Sequence, residues 1–311
     1  MNKYNLLKKL CEVHAPSGNE GAMTQFLIDN INTHKHTWKS EPQLFYGKGF
    51  QDTLVMVFGK PRTALYAHID SVGYMVAYDT SLIEIGTPRA KSGTPLVGAD
   101  SLGAFECSIA PSQDKDTDSN AIRYQFKRNI ERGTTLTYKP IFKETEHHIQ
   151  ASYIDNRVGV WTALMLAEKM ENGVIAFSTY EETGGGSAQF LQRFLHEKFS
   201  VNQALICDIT WVTAGVAEGK GPAVSLHDSR IPRRAFVDKI RAIAQSAALQ
   251  YQIEVERGGG SDGTVLQSLS LPVDWCFVGV PIKHAHEPLE TINKQDLNAL
   301  LKLYSILMKE L

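Results

Sequence analysis

No apolar run in this 311-residue sequence approaches the roughly 18 residues of a membrane-spanning helix, and its lysine-bearing start lacks the continuous apolar stretch of a secretory signal. A strong excess of either charge is missing too. Thirty-four acidic residues nearly balance 32 basic ones, for a formal charge of -2, so no broad field draws the chain to nucleic acid or anionic membranes. Cysteine is scarce: Cys11, Cys107, Cys207 and Cys276 are widely spaced, form no C-x-x-C pair and sit mostly in apolar runs. They read as buried thiols in a reducing compartment. Nucleotide signatures are absent, because the glycine-rich tract 258–263 lacks the Walker lysine and does not match G-x-G-x-x-G in a βαβ context. Ser261 has no nucleophile elbow around it. The expectation is a soluble, cytoplasmic protein acting on peptides or small molecules, with no nucleic-acid or membrane partner.

What is present is a core-forming chain, 43% hydrophobic, long enough for one large domain carrying a smaller one. Apolar spacing predicts helices over 4–13 and 20–32, with Ser17 to Glu20 fitting a capping box between them. β-like runs follow at 53–58, 64–67 and 73–77. From there to about residue 149 helical periodicity is lacking, and short runs such as 122–126 and 134–138 are separated by turn-forming clusters, including the polar segment 111–120. An inserted all-β domain is therefore expected over 71–150, dividing a catalytic domain made of 1–70 and 151–311. After it, helices at 157–170, 188–197, 235–248 and 294–311 alternate with strands at 174–179, 203–207 and 273–279, which argues for an α/β sandwich.

Several apolar strands run directly into ionisable residues: Ala64 to His68 and Asp70, Ala176 to Glu181 and Glu182, Ala204 to Asp208, and the late strand into His284 and His286. In open α/β sheets ligands bind outside the carboxyl ends of the strands, so these distant side chains can converge. Histidine with carboxylate suits zinc, cobalt or manganese. Two ions sharing a carboxylate need about five ligands and a nearby base. Asp70, two residues beyond His68, suits a partner that fixes the imidazole tautomer. Of the adjacent Glu181 and Glu182, one can ligate while the other takes a proton from bound water. Each residue also has a plainer reading. His68 and His286 can be ordinary strand-end histidines, the glutamates a solvated loop entry, and Asp155 a helix N-cap. Asp208 ends an apolar strand and needs a partner in either case. His284 rivals His286, while His147 and His148 read as ordinary polar residues.

In order and spacing, Ala67-His68-Ile69-Asp70, Asp155-Asn156-Arg157-Val158-Gly159, Glu181-Glu182-Thr183-Gly184, Asp208, the Gly258 to Asp262 tract and His286-Glu287-Pro288-Leu289-Glu290 resemble the M42 family of glutamyl-type and TET aminopeptidases. The resemblance covers nearly the whole chain. It implies a three-layer α/β sandwich peptidase domain with a mixed central sheet, interrupted by a small β domain. It also implies two divalent ions, zinc first with cobalt or manganese as alternatives, with His68 and Asp208 on one, Glu182 and His286 on the other, and Asp155 bridging. Glu181 would be the general base, peptides the substrates, and a homo-oligomer, up to a dodecamer, the assembly. Asn156 departs from the pattern, since many relatives carry a second aspartate there. The rival readings are a two-metal N-acyl amino acid deacylase or carboxypeptidase-like hydrolase, and a non-catalytic binding protein on the same fold.

Overall fold

The structure is a computed structural model describing residues 3–111 and 122–311; the expected polar segment 111–120 falls, after Pro111, outside the described residues. Strands Gln51–Phe58, Gly173–Ser178, Thr63–His68, Gln203–Trp211 and Asp274–Lys283 lie side by side in that order. The first pairing is antiparallel and the next three are parallel, which makes the central sheet mixed. Their residues are apolar almost without interruption because both faces are covered.

Successive side chains on a strand point to opposite faces, and here each face has its own core. Met56, Phe58, Leu65, Phe177, Leu205 and Cys207 face helices that contribute Leu7, Leu27, Trp161, Ile240 and Leu303. Their neighbours Val55, Val57, Tyr66, Ala176 and Ile206 face the helix Gly186–Phe199, whose Ala188, Leu191 and Leu195 recur at helical spacing. Helices on both faces of the sheet complete the three-layer α/β architecture.

A second sheet, entirely antiparallel in its pairings, is built from strands between Gly73 and Tyr138 in the order Leu82–Ile85, Gly73–Val76, Thr135–Tyr138, Pro95–Asp100, Gly103–Ile109 and Tyr124–Gln125. It has its own core, centred on Tyr74, Leu96, Leu136 and Tyr138. Phe142–Glu144 and His148–Ala151 rejoin the large sheet, where the latter pairs with Glu290–Asn293. Tyr153 bridges the two units. It packs in the core of the smaller sheet, stacks on Tyr138 at 5.6 Å, and its hydroxyl accepts the Tyr138 N–H.

Three local expectations need correction. The strand beginning at Gln203 does not stop at Cys207 but runs to Trp211, because Ile209, Thr210 and Trp211 pair with Val280, Pro281 and Ile282. Asp208 therefore lies within a strand. The capping box at Ser17 does not form: Ser17 Oγ donates to Asp70 Oδ2 at 2.6 Å, and Glu20 accepts the Gly18 N–H instead. Asp155 is not an N-cap either, since the helix Ile154–Ala167 has Tyr153 in that position and Asp155 itself has non-helical dihedrals.

That helix packs unusually close to the Gln203–Trp211 strand. A Cβ at Gly159 would lie 2.3 Å from the Cys207 carbonyl oxygen and 2.4 Å from Asn156 Oδ1. Asn156 spans the gap with both ends of its amide, Nδ2 donating to the Cys207 carbonyl and Oδ1 accepting the Gly159 N–H, each at 2.9 Å. An ionised aspartate has no donor for the first of these bonds. Gly159→Ala is expected to destabilise the fold by at least about 2 kcal/mol through overpacking, read as a lower midpoint in urea unfolding. An unchanged midpoint would refute the close approach.

Candidate metal centre

The three parallel pairings place the ends of their strands on one side of the sheet, and the ionisable side chains gather there. His68 closes the strand Thr63–His68, and Glu181 and Glu182 form a tight turn after Gly173–Ser178. Asp208 projects from Gln203–Trp211, and His286 follows Asp274–Lys283. Asp155 reaches them from the opening turn of Ile154–Ala167.

Two groups capable of holding a metal result, His68 with Asp155 and Asp208, and Asp155 with Glu182 and His286. His68 Nε2 lies 3.2 Å from Asp155 Oδ1 and 3.5 Å from Asp208 Oδ2. His286 Nε2 lies 3.2 Å from Asp155 Oδ2 and 3.4 Å from Glu182 Oε2. Ligand atoms about 2.0–2.2 Å from a tetrahedral ion sit roughly 3.3–3.6 Å apart, so this donor set fits a divalent cation in chemistry and in spacing. Glu181 is set slightly back, its Oε2 3.9 Å from His68 Nε2. His284 is turned away and pairs with Glu287, and His148 pairs with Glu218 instead.

The histidine orientations follow from their other nitrogens. His286 Nδ1 is 2.8 Å from Thr87 Oγ1 and 3.1 Å from the Thr87 carbonyl. A carbonyl only accepts, so Nδ1 carries the proton and Nε2 keeps its lone pair for a metal. His68 Nδ1 faces Asp70 Oδ1 at 3.4 Å, a charge contact without hydrogen-bond alignment.

Asp70 does more than face His68. Completely buried, it accepts the Glu181 N–H on Oδ1 at 3.2 Å, and the Glu182 N–H and Ser17 hydroxyl on Oδ2 at 3.1 and 2.6 Å. Burial acts to raise its pKa, but His68, Ser17 and the Glu182 N–H outweigh that and hold it below the usual carboxylate range. Glu290 plays the matching role on the other side: Oε1 accepts the His286 N–H at 2.7 Å and Oε2 the Asp155 N–H at 3.0 Å. Glu290 was visible in the sequence only as the last letter of a motif, and nothing local announced its contacts. Arg157, fully buried, donates from Nη1 to the carbonyls of Ile69 and Asp70. Tyr153, Tyr180 and His286 have φ of 64°, 63° and 65°. Left-handed backbone is costly for such residues and gathers where a site over-determines it.

Charge is unbalanced in this centre. Burial first, then neighbouring carboxylates, push Glu181 and Glu182 well above the ordinary glutamate range, and burial likewise raises Asp208, with His68 opposing in each case. His68 would be lowered by burial, yet Asp208, Asp155 and Asp70 together lift it well above its usual value. Glu182 Oε1 is buried without a hydrogen-bond partner. A bound cation is the group that removes this excess.

A mixed α/β sheet carrying paired histidine–carboxylate groups where its parallel strands end has the donor set of a metal-dependent hydrolase. The chain belongs to the M42 glutamyl aminopeptidase family, whose model matches residues 117–303. FrvX of Escherichia coli K12, designated an aminopeptidase, is 24% identical over 341 residues, covering 96% of this chain and 92% of FrvX. The TET aminopeptidase of a marine sediment Thaumarchaeota archaeon superposes with a TM-score of 0.88 at 17% identity, covering 100% of this chain and 98% of its own. The Pyrococcus horikoshii TET1 peptidase, which can assemble into a tetrahedron or a large octahedral shell, superposes with a TM-score of 0.83 at 21% identity, covering 100% of both chains. This chain is accordingly a metal-dependent aminopeptidase, a hydrolase of peptide bonds. The family resemblance read from its motifs is borne out.

Two outcomes are expected. Asp70→Asn should weaken metal binding by about 10- to 100-fold, measured by metal titration; unchanged affinity would remove Asp70 from its positioning role. Glu181, Glu182 and Asp208 bind protons more tightly folded than unfolded. Metal-free protein should therefore lose stability as pH rises above the unfolded carboxylate pKa of about 4, while divalent metal, which needs deprotonated ligands, restores it increasingly over that range. Melting temperatures against pH, with and without chelator, check this. A gap that does not widen with pH would contradict it.

Proposed function

We propose that this protein removes N-terminal residues from peptides using two divalent ions, zinc before cobalt or manganese. His68 and Asp208 would hold one ion, Glu182 and His286 the other, and Asp155 would bridge them. The observation carrying this reading is that the two oxygens of Asp155 face different histidines, each at 3.2 Å. When bound, such ions polarise the scissile carbonyl and lower the pKa of the attacking water.

Glu181 is the general base. It takes the proton of the attacking water and returns it to the leaving amine, a task helped by the raised proton affinity that burial gives it. Asp70 positions this base through the Glu181 backbone and orients His68. Neighbouring Glu182 cannot share the role while it serves as a ligand.

The smaller unit, expected over 71–150 but with its own sheet between Gly73 and Tyr138, is read as governing assembly and substrate access around the larger, catalytic domain. The shells formed by TET1 support a homo-oligomer, a dodecamer being the form the resemblance suggests. Among the described residues no helix is long and apolar enough to cross a membrane. The four cysteines are free and buried, which supports a cytoplasmic, reducing setting.

Glu181→Gln should retain both metals yet lower kcat by roughly 100-fold or more. The check is a panel of aminoacyl and N-acyl substrates assayed on stripped protein resupplied with zinc, cobalt or manganese. Full activity in the variant overturns the base assignment, and cleavage of N-acyl substrates alone turns the reading to a deacylase.

A further inference from the structure

The cleft over the metal groups, about 520 Å³ in volume, extends past Thr210 and Trp211 to a wall containing Asp228, Glu254 and Glu256. These come from the strands Ala223–His227 and Gln252–Val255 or the residues just after them. None of the three belongs to either metal-holding group. Asp228 and Glu254 are only 6% and 3% exposed, so their charges are held away from bulk water.

Their partners are neutral. Asp228 accepts the Arg230 backbone N–H at 2.7 Å and the hydroxyls of Ser229 at 3.4 Å and Ser261 at 3.0 Å. Glu254 accepts the Thr210 hydroxyl, and Glu256 the Thr213 hydroxyl at 2.8 Å. Among the described residues, no lysine or arginine forms an ion pair with any of them. Burial, together with the like charges of Asp228 and Glu256, raises the pKa of Glu254. The arginine lining the cleft, Arg89, bonds through its backbone to the His286 carbonyl, and its charge acts on the His286 imidazole, which puts that cation at the metal end.

That this cleft receives a ligand follows from its metal end: the residues of both metal-holding groups line it, and Glu182, with a side chain only 4% exposed, leaves Oε1 there without a hydrogen-bond partner.

We propose that the acidic wall receives the side chain of the substrate's N-terminal residue and selects lysine and arginine. This rests on the aminopeptidase reading: with the scissile bond at the metal groups, the first side chain lies within one residue's reach, in the same cleft. Trp211 and Phe277, also in the lining, offer apolar surface to a methylene stem, while the carboxylates take the cation. Leucine would desolvate the acids without pairing them, and glutamate would add a like charge.

The test combines initial-rate kinetics on the 4-nitroanilides of lysine, arginine, norleucine and glutamate with calorimetric binding of L-lysinamide and L-norleucinamide. Norleucine matches the lysine stem without its charge. Lysine and arginine should exceed norleucine in kcat/KM by roughly 10-fold or more, with glutamate poorest. Glu254→Gln and the more accessible Glu256→Gln should each shrink the lysine-to-norleucine ratio, and Glu256→Arg should move preference toward glutamate. Norleucine or glutamate cleaved as well as lysine, or a ratio unmoved in every variant, overturns the pocket. Tighter binding of lysinamide by protein that cleaves nothing would uphold the pocket and defeat the peptidase reading, whereas cleavage without preference would defeat the pocket alone.

Discussion

Asp70 is the buried charge around which the centre is arranged. Its two oxygens hold the Glu181 and Glu182 backbone, accept the Ser17 hydroxyl and face His68. An isolated carboxylate with no exposure would be prohibitively costly, and it is the convergence of donors that keeps this one ionised. Because its partners come from separate stretches of chain, the first loop, the strand ending at His68 and the turn after Ser178 are held in one fixed relation. Glu181 and Glu182, adjacent in sequence, are thereby aimed differently, one toward His68 and the other toward His286.

Glu290 fastens the opposite side, joining Asp155 to His286 through their backbone N–H groups. The smaller sheet is tied in at the same place, since the Tyr138 hydroxyl donates to the His286 carbonyl while its ring stacks on Tyr153, two residues before Asp155. Movement of the smaller sheet would thus be felt at one metal-holding group. The left-handed backbone at Tyr153, Tyr180 and His286 occurs at the points where these ties meet.

An acid-rich cleft with buried ligands is a poor hydrophobic core and a good cation site. The same excess has two consequences at two distances: near His68 and His286 it favours metal, and beyond Trp211 it favours a cationic side chain. Apolar packing on both faces of the sheet supplies the stability that lets such a centre persist.

The sequence by itself determined the alternation of helices and strands, the two-sided burial of the central strands and the identity of the residues at their ends, because side-chain periodicity and strand-end acids are local signals. Its motifs also carried the family. Tertiary structure sets His284 against Glu287 and His286 against Asp155, in line with the choice of His286 that the family's motif already implied. It alone extended the Asp208 strand to Trp211, through pairing with a segment some seventy residues away. It turned Ser17 from an expected cap into a donor to Asp70, and gave Asn156 its contacts with Cys207 and Gly159. The strands Ala223–His227 and Gln252–Val255, too short to show a period, became the wall that carries Asp228, Glu254 and Glu256. Residues whose roles are set by distant partners leave no local signal, because the partner is chosen by folding.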